Sequence, residues 1–300
     1  MDGKQLRTQY KEHLSDFNNW NQKEHAEDFI LYPKNIGYHL CIDETALSKG
    51  ELYTILTNRD KHGRKGTIVA IVKGTKAEDV INVLLKIDAD KRNQVKEITL
   101  DMAGSMQKIA KRCFPGAMQV VDRFHVSKLV YEAVQDLRIA YRWQVMKDEN
   151  RKIKEAKAKG ESYEPKVFGN GDTLRQLLAG SRYLLFKAPD KWQQSRKVRA
   201  KLLFEQFPDI KSVYYYALRL GKIFSDYTDK DVARAKLALW YNEIEEFGYD
   251  TFTTVANSIE NHYERILNYF VNRSTNAAAE AFNAKIKAFR ASFRGVVDKR

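Results

Sequence analysis

A mixed α/β fold with an all-helical insertion is predicted from three features of the 300-residue sequence. Three consecutive apolar segments with short polar or glycine-bearing turns, "GYHLCIDE", "GELYTILTNRD" and "KGTIVAIVKG", read as antiparallel strands joined by hairpins. From "VKEITLDMAGSM" onward, strand and helix patterns alternate as in parallel strands with helical crossovers. After about residue 145 the strand signal stops, and helical patterns run to about residue 270.

In order along the chain, residues 1–37 are polar and mixed and are expected to form a helix and a connector. In "TKAEDVINVLLKID", Val80, Val83, Leu84 and Ile87 recur at helical spacing behind Thr75, a residue able to cap a helix. Strand, helix, strand and helix then follow through "VVDRFHVSKLVYEAVQDLRIAYRWQVM". Three antiparallel strands followed by two parallel ones with helical crossovers is the order of a ribonuclease H-like core, assigned to residues 38–147. Residues 148–270 are expected to hold a charged loop, "KDENRKIKEAKAKGESYEPKVFGNGD", and a helical insertion. Residues 271–300 are expected to complete the core with one more helix. Its caps are Ser274, Thr275 and Asn276, ahead of an alanine run.

Composition narrows the function. The 52 Lys and Arg against 39 Asp and Glu give a net charge of +13, which favours a polyanionic partner, nucleic acid first and a membrane surface second. No stretch of about 18 apolar residues exists and the N-terminus is too polar for a signal peptide, so a cytoplasmic protein is expected. Cys41 and Cys113 form no Cys-x-x-Cys pair, which argues against a zinc finger in this chain.

Asp43 ends the first strand and Asp101 the fourth. Carboxyl ends of strands in an α/β sheet are where reactive groups project into a crevice, so neighbouring strands would bring these two acids together. Clustered carboxylates repel unless a cation sits between them, which favours a divalent metal. Each Asp can also be a plain turn residue. On the last helix Glu280, Asn283 and Lys287 share one face at i, i+3 and i+7, and a solvated surface Glu is the competing reading there.

Taken together, "IDET", "LDMAGSM", "VVDRFHV" and "STNAAAEAFNAKIKAFR" resemble the DDE transposases of bacterial insertion sequences, ISL-three type, over residues 38–145 and 270–295. The resemblance implies a catalytic triad of Asp43, Asp101 and Glu280 on a ribonuclease H-like fold. It implies two Mg2+ or Mn2+ ions held by those acids, with cleavage and strand transfer at the element's ends. Asp122 and His125 are candidates to orient DNA or assist proton transfer, or else to cap and pack a helix. Asn283, Lys287 and Arg290 are candidate DNA contacts, or part of a solvated basic helix. Trp192, Trp240 and "VYYYALRL" are expected in the core of the insertion rather than stacked on bases. A structure-specific DNA nuclease and a non-catalytic DNA-binding remnant are the rival functions. The expected partners are insertion-sequence ends, target DNA and further copies of the chain on DNA, at the bacterial nucleoid. Residues 1–37 show neither finger ligands nor a helix-turn-helix, so end recognition is expected from a separate protein or segment.

Overall fold

The computed structural model describes residues 2–48, 50–273, 283–285 and 288. It divides into two compact units, Met1–Asp122 with Glu264–Arg300, and Arg123–Tyr263.

The first unit opens with helix α1 (Gly3–Gln9), continues through strands β1 (Phe29–Leu31), β2 (His39–Ser48), β3 (Glu51–Asn58) and β4 (Ile68–Lys73), then helices α2 (Ala77–Leu84) and α3 (Ala89–Asn93). Strand β5 (Glu97–Leu100), helix α4 (Gly104–Cys113) and strand β6 (Met118–Val121) follow. The six strands form one mixed sheet in the order β1-β4-β3-β2-β5-β6. Strands β2, β3 and β4 pair antiparallel, whereas β5 is parallel to β2 and β6 is parallel to β5. The two hairpins and two parallel additions match the expected strand order.

Two local expectations are corrected. Residues 1–37 are not only helix and connector, because Phe29–Leu31 adds an antiparallel edge strand to β4. Three residues are too few for an alternating pattern to stand out, and the pairing with β4 supplies the strand's identity. Thr75 does not cap α2. Lys76 holds that position without a side-chain bond, and the first-turn acids Glu78 and Asp79 complement the helix dipole instead.

Strand alternation decides the two faces of the sheet. Leu40 and Ile42 of β2 and Ile98 and Leu100 of β5 bury against Val80, Leu84, Ile109 and Ala110 of α2 and α4. Each such aliphatic side chain stabilises the fold by about 1.5–3 kcal/mol. The residues between them, Cys41, Asp43, Glu97, Thr99 and Asp101, therefore point to the opposite face. That face is polar yet closed. Glu97 is 1% exposed and accepts from Arg59 Nη1 at 2.6 Å and from Asn272 Nδ2 at 2.8 Å, while Arg59 Nη1 also meets Thr99 Oγ1 at 2.6 Å.

The second unit is helical: α5 (Arg123–Ala158), α6 (Leu174–Gly180), α7 (Gln194–Gln206), α8 (Pro208–Asp226), α9 (Lys230–Phe247) and α10 (Asp250–Asn261). After it, α11 (Tyr263–Leu267) and α12 (Tyr269–Asn272) return the chain to the sheet unit. Asn268 of this returning segment donates to the Gln119 carbonyl of β6 at 2.9 Å. The expected break at 147/148 falls inside α5, which continues to Ala158. Lys, Glu and Ala are good helix formers, and Arg151 lies 3.1 Å from Asp148 and 3.9 Å from Glu155, pairs that support a solvated helix.

Trp192, Trp240 and Tyr214 are core, as expected, whereas Tyr215 of "VYYYALRL" is 44% exposed. Trp240 is 1% exposed and Tyr214 fully buried, and their polar tips are spent on backbone: Trp240 Nε1 on Tyr216 O at 2.9 Å, Tyr214 OH on Lys187 O at 2.6 Å. Trp192 Nε1 likewise donates to Leu184 O at 3.0 Å. None of the three presents a face on which a base could stack. Among the described residues, no helix is long and apolar enough to cross a membrane.

Candidate functional site

The parallel register aligns the predicted strand-end acids. His39 lies opposite Glu97 and Cys41 opposite Thr99, so two residues further on Asp43 falls beside Asp101. Leu100 lies opposite Val121, so one residue further on Asp101 falls beside Asp122. Three aspartates thus form a row across β2, β5 and β6, on the face away from α2 and α4. Asp101 and Asp122 directly follow β5 and β6, whereas Asp43, expected to end its strand, lies inside β2, which its hairpin with β3 carries on to Ser48.

The electrostatics agree with this convergence. Burial pushes the Cys41 thiol well above its usual range, and the charges of Asp43 and Asp122 push it further. Glu44 is raised by burial, then by Asp101 and Asp43. Glu44 is the acid that sequence reasoning missed, although it stands in the same "IDET" motif. An adjacent acid on a strand normally points to the other face, and only the register reveals how near Asp101 lies.

Each carboxylate is held. Asp43 Oδ1 accepts from the Glu44 amide at 2.9 Å and its Oδ2 from Asn283 Nδ2 at 2.9 Å. Asp101 Oδ1 accepts from the Ala103 amide at 2.8 Å, in a turn that opens into α4. Asp122 is 1% exposed, with its amide bonded to Leu100 O at 3.1 Å. His125 sits in the first turn of α5, edge-on to Phe124 with ring centroids 5.5 Å apart. Asn283 is 8% exposed, so it is a partner of Asp43 rather than a solvated residue of a basic helix. Glu280, Lys287 and Arg290 lie outside the described residues.

Among the described residues, no group of three or more His, Cys, Asp and Glu side chains is disposed to hold a metal ion. The oxygen donors around Asp43 nevertheless suit a hard cation. Two buried oxygens there have no hydrogen-bond partner, Asn283 Oδ1 and Thr45 Oγ1, and Thr45 stands two residues beyond Asp43 on the same side of β2. Orphaned buried acceptors are uncommon in folded proteins, and a cation or its bound water satisfies them.

A mixed sheet with acids aligned across three parallel strands, in a chain of net charge +13, points to the class of proteins that act on polyanions. The transposase family of the ISL-three (ISL3) DDE type matches residues 40–299, and the chain belongs to that family. Comparison with curated proteins and with solved structures gives no match.

Proposed function

We propose that this transposase cleaves and joins DNA at insertion-sequence ends through Asp43, Asp101 and Glu280, on a ribonuclease H-like core interrupted by the helical unit. One observation carries the reading. Asp43 and Asp101 stand in register, and Asn283, three residues after Glu280, is bonded to Asp43. The sequence spacing of three residues between Glu280 and Asn283, expected to share one helix face, brings Glu280 into the same proposal.

Asp43, Asp101 and Glu280 would hold two Mg2+ or Mn2+ ions. When bound, these activate the attacking hydroxyl or water and stabilise the leaving oxygen in an in-line displacement. The protein's own contribution is orientation. The Glu44 amide and Asn283 fix the Asp43 carboxylate, and the Ala103 amide fixes that of Asp101. Asp122 belongs to the row, and Asp122 and His125 are candidates to orient DNA or assist proton transfer. Lys287 and Arg290 would meet phosphates of the bound strand. The substrates are insertion-sequence ends and target DNA, with further copies of the chain assembled on them and a separate element reading the end sequence.

The test is activity of Asp43→Asn, Asp101→Asn and Glu280→Gln on labelled element ends with Mg2+. Each substitution removes ligand charge at nearly constant volume, so each is expected to abolish both cleavage and joining while the thermal melt stays close to wild type. Near-normal turnover in any one removes that residue from the triad. Cleavage without joining by the wild-type protein would make the chain a nuclease.

A further inference from the structure

The first unit carries a second charged feature, at the end of the sheet away from the acid row. The β3–β4 loop, Arg59–Thr67, and the turn Pro33–Asn35 form a cleft of ≈ 620 Å³. Lys34, Lys61, Arg64 and Lys65 line it and no carboxylate does. All four cations are exposed, and among the described residues none is ion-paired. The loop's one acid, Asp60, is turned to His39 at 2.8 Å.

This is a built site rather than a chance grouping of lysines. Asn58, 3% exposed, bridges the two turns: its Nδ2 donates to Asn35 O at 2.8 Å and its Oδ1 accepts from the Asp60 amide at 3.0 Å. Asn35 Nδ2 in turn donates to Ile68 O at 2.7 Å. Inside the loop, Thr67 closes on Arg64 O through both its amide, at 3.1 Å, and its hydroxyl, at 2.7 Å. Gly63 and Gly66 take left-handed conformations, φ 76° and 88°, that a side chain would strain. Pre-formed turns present their cations without a large ordering cost, which favours binding an extended array of charges.

We propose that this cleft holds the phosphodiester backbone of duplex DNA flanking the segment at the acid row. The inference rests on the transposase reading for the choice of polyanion. Asp43 lies opposite Ile55, three residues before Asn58 on β3, so the loop begins about 10 Å from the acid row at 3.3–3.4 Å per residue. That offset suits contact with the same duplex about three base pairs or more away, at 3.4 Å per pair. Four point charges and no base-reading element define a sequence-independent grip.

The experiment uses the full chain and a random-sequence duplex. Affinity is measured by fluorescence anisotropy from 50 to 200 mM salt for wild type, for Lys34→Gln/Lys61→Gln/Arg64→Gln/Lys65→Gln, and for the charge-matched control Lys197→Gln/Lys201→Gln/Lys211→Gln/Lys222→Gln. Each lost phosphate contact lowers the salt slope by about 0.9. The cleft variant is therefore expected to lose about 2–4 from the slope, and the control less than one. A second measurement needs no variant: DNA should protect Lys34, Lys61 and Lys65 of the wild type from acetylation. An unchanged slope, an equal loss in the control, or absent protection overturns the proposal, as does tighter binding to RNA or to phosphatidylserine vesicles than to duplex DNA. Metal-dependent cleavage by the wild type is scored separately, so the grip can fail while the transposase reading stands.

Discussion

Asn283 donates to Asp43 across 240 positions of sequence, and its own Oδ1 is left buried without a partner. The amide therefore does two things at the acid row: it fixes one carboxylate oxygen and leaves an acceptor of its own facing inward. Groups that orient a metal ligand typically affect metal affinity 10–100-fold. Asn283→Ala is expected to raise the Mg2+ concentration for half-maximal cleavage by about 10-fold or more. Activity at saturating metal should recover much of the loss. A fall in activity that no Mg2+ concentration restores would assign Asn283 to substrate contact instead.

Asp43→Asn tests the same pair from the other side. If the Asn283 amide turns over, its orphaned Oδ1 accepts from the new side-chain N–H, and one hydrogen bond between the pair is kept. Like-charge repulsion in the row also falls. The metal-free melting temperature is expected to stay within about 2 °C of wild type or to rise. A drop of about 5 °C or more would mean that the Asp43 carboxylate is needed as a turn-former.

Glu97 is the buried charge on which the polar face depends. Arg59→Met removes the guanidinium that stands 2.6 Å from that charge, at an expected cost of about 1–3 kcal/mol in chemical denaturation. Arg59→Met with Glu97→Gln should recover part of it, because the neutral amide still accepts from Asn272. Equal losses for the single and double variants would show that the ion pair itself carries little.

In the helical unit, Asp209 accepts from the hydroxyls of Tyr141 and Tyr249, each at 2.5 Å, and these two bonds hold its carboxyl below the usual range. A depressed carboxyl pKa contributes stability above the unfolded value, 3.8, that is lost as pH falls through the folded value. Tyr141→Phe/Tyr249→Phe is therefore expected to cost about 1–2 kcal/mol at pH 7, a figure discounted for solvent access, and progressively less as the pH falls below 3.8. Urea melts at pH 7 and pH 3 measure the difference. A pH-independent cost would mean that lost packing, not charge, explains it.

Gly37 sits against the Asn58 brace, and a Cβ there would meet the Asn58 side chain at 2.5 Å. Gly37→Ala is expected to destabilise the chain by about 1–3 kcal/mol through overpacking of a side chain held at both its amide nitrogen and its oxygen. Pairing it with Asn58→Ala should relieve the clash. Full stability in the single variant would show that the brace has room to shift.

How much of this could be read from the chain differs by feature. Asp101 and Asp122 were legible because each ends a short apolar strand and parallel pairing makes such ends neighbours, whereas the run of β2 beyond Asp43 to Ser48 was not, because it is the antiparallel pairing with β3 that sustains it. Strand β1 was not, since Phe29–Leu31 owes its state to β4 and not to its own pattern. The length of α5 was hidden because its solvated second half lacks an apolar stripe, the signal from which helices are usually read. Glu44 and the basic cleft depend on register and on Asn58 joining two distant turns, which are tertiary facts. The bond from Asn283 to Asp43 is of the same kind.

The chain leaves the sheet unit at Asp122 and re-enters at Glu264, with the 141 residues of the helical unit between. During synthesis at about 5–20 residues per second, that interval lasts roughly 7–28 s. Over this time the sheet exists without Asn272 on Glu97 and without Asn283 on Asp43, bonds that span 175 and 240 positions. The ribosome thus delivers Asn283, a brace of the acid row, long after the aspartates it serves. A product truncated before Asn283 carries the aspartates without the asparagine that holds Asp43.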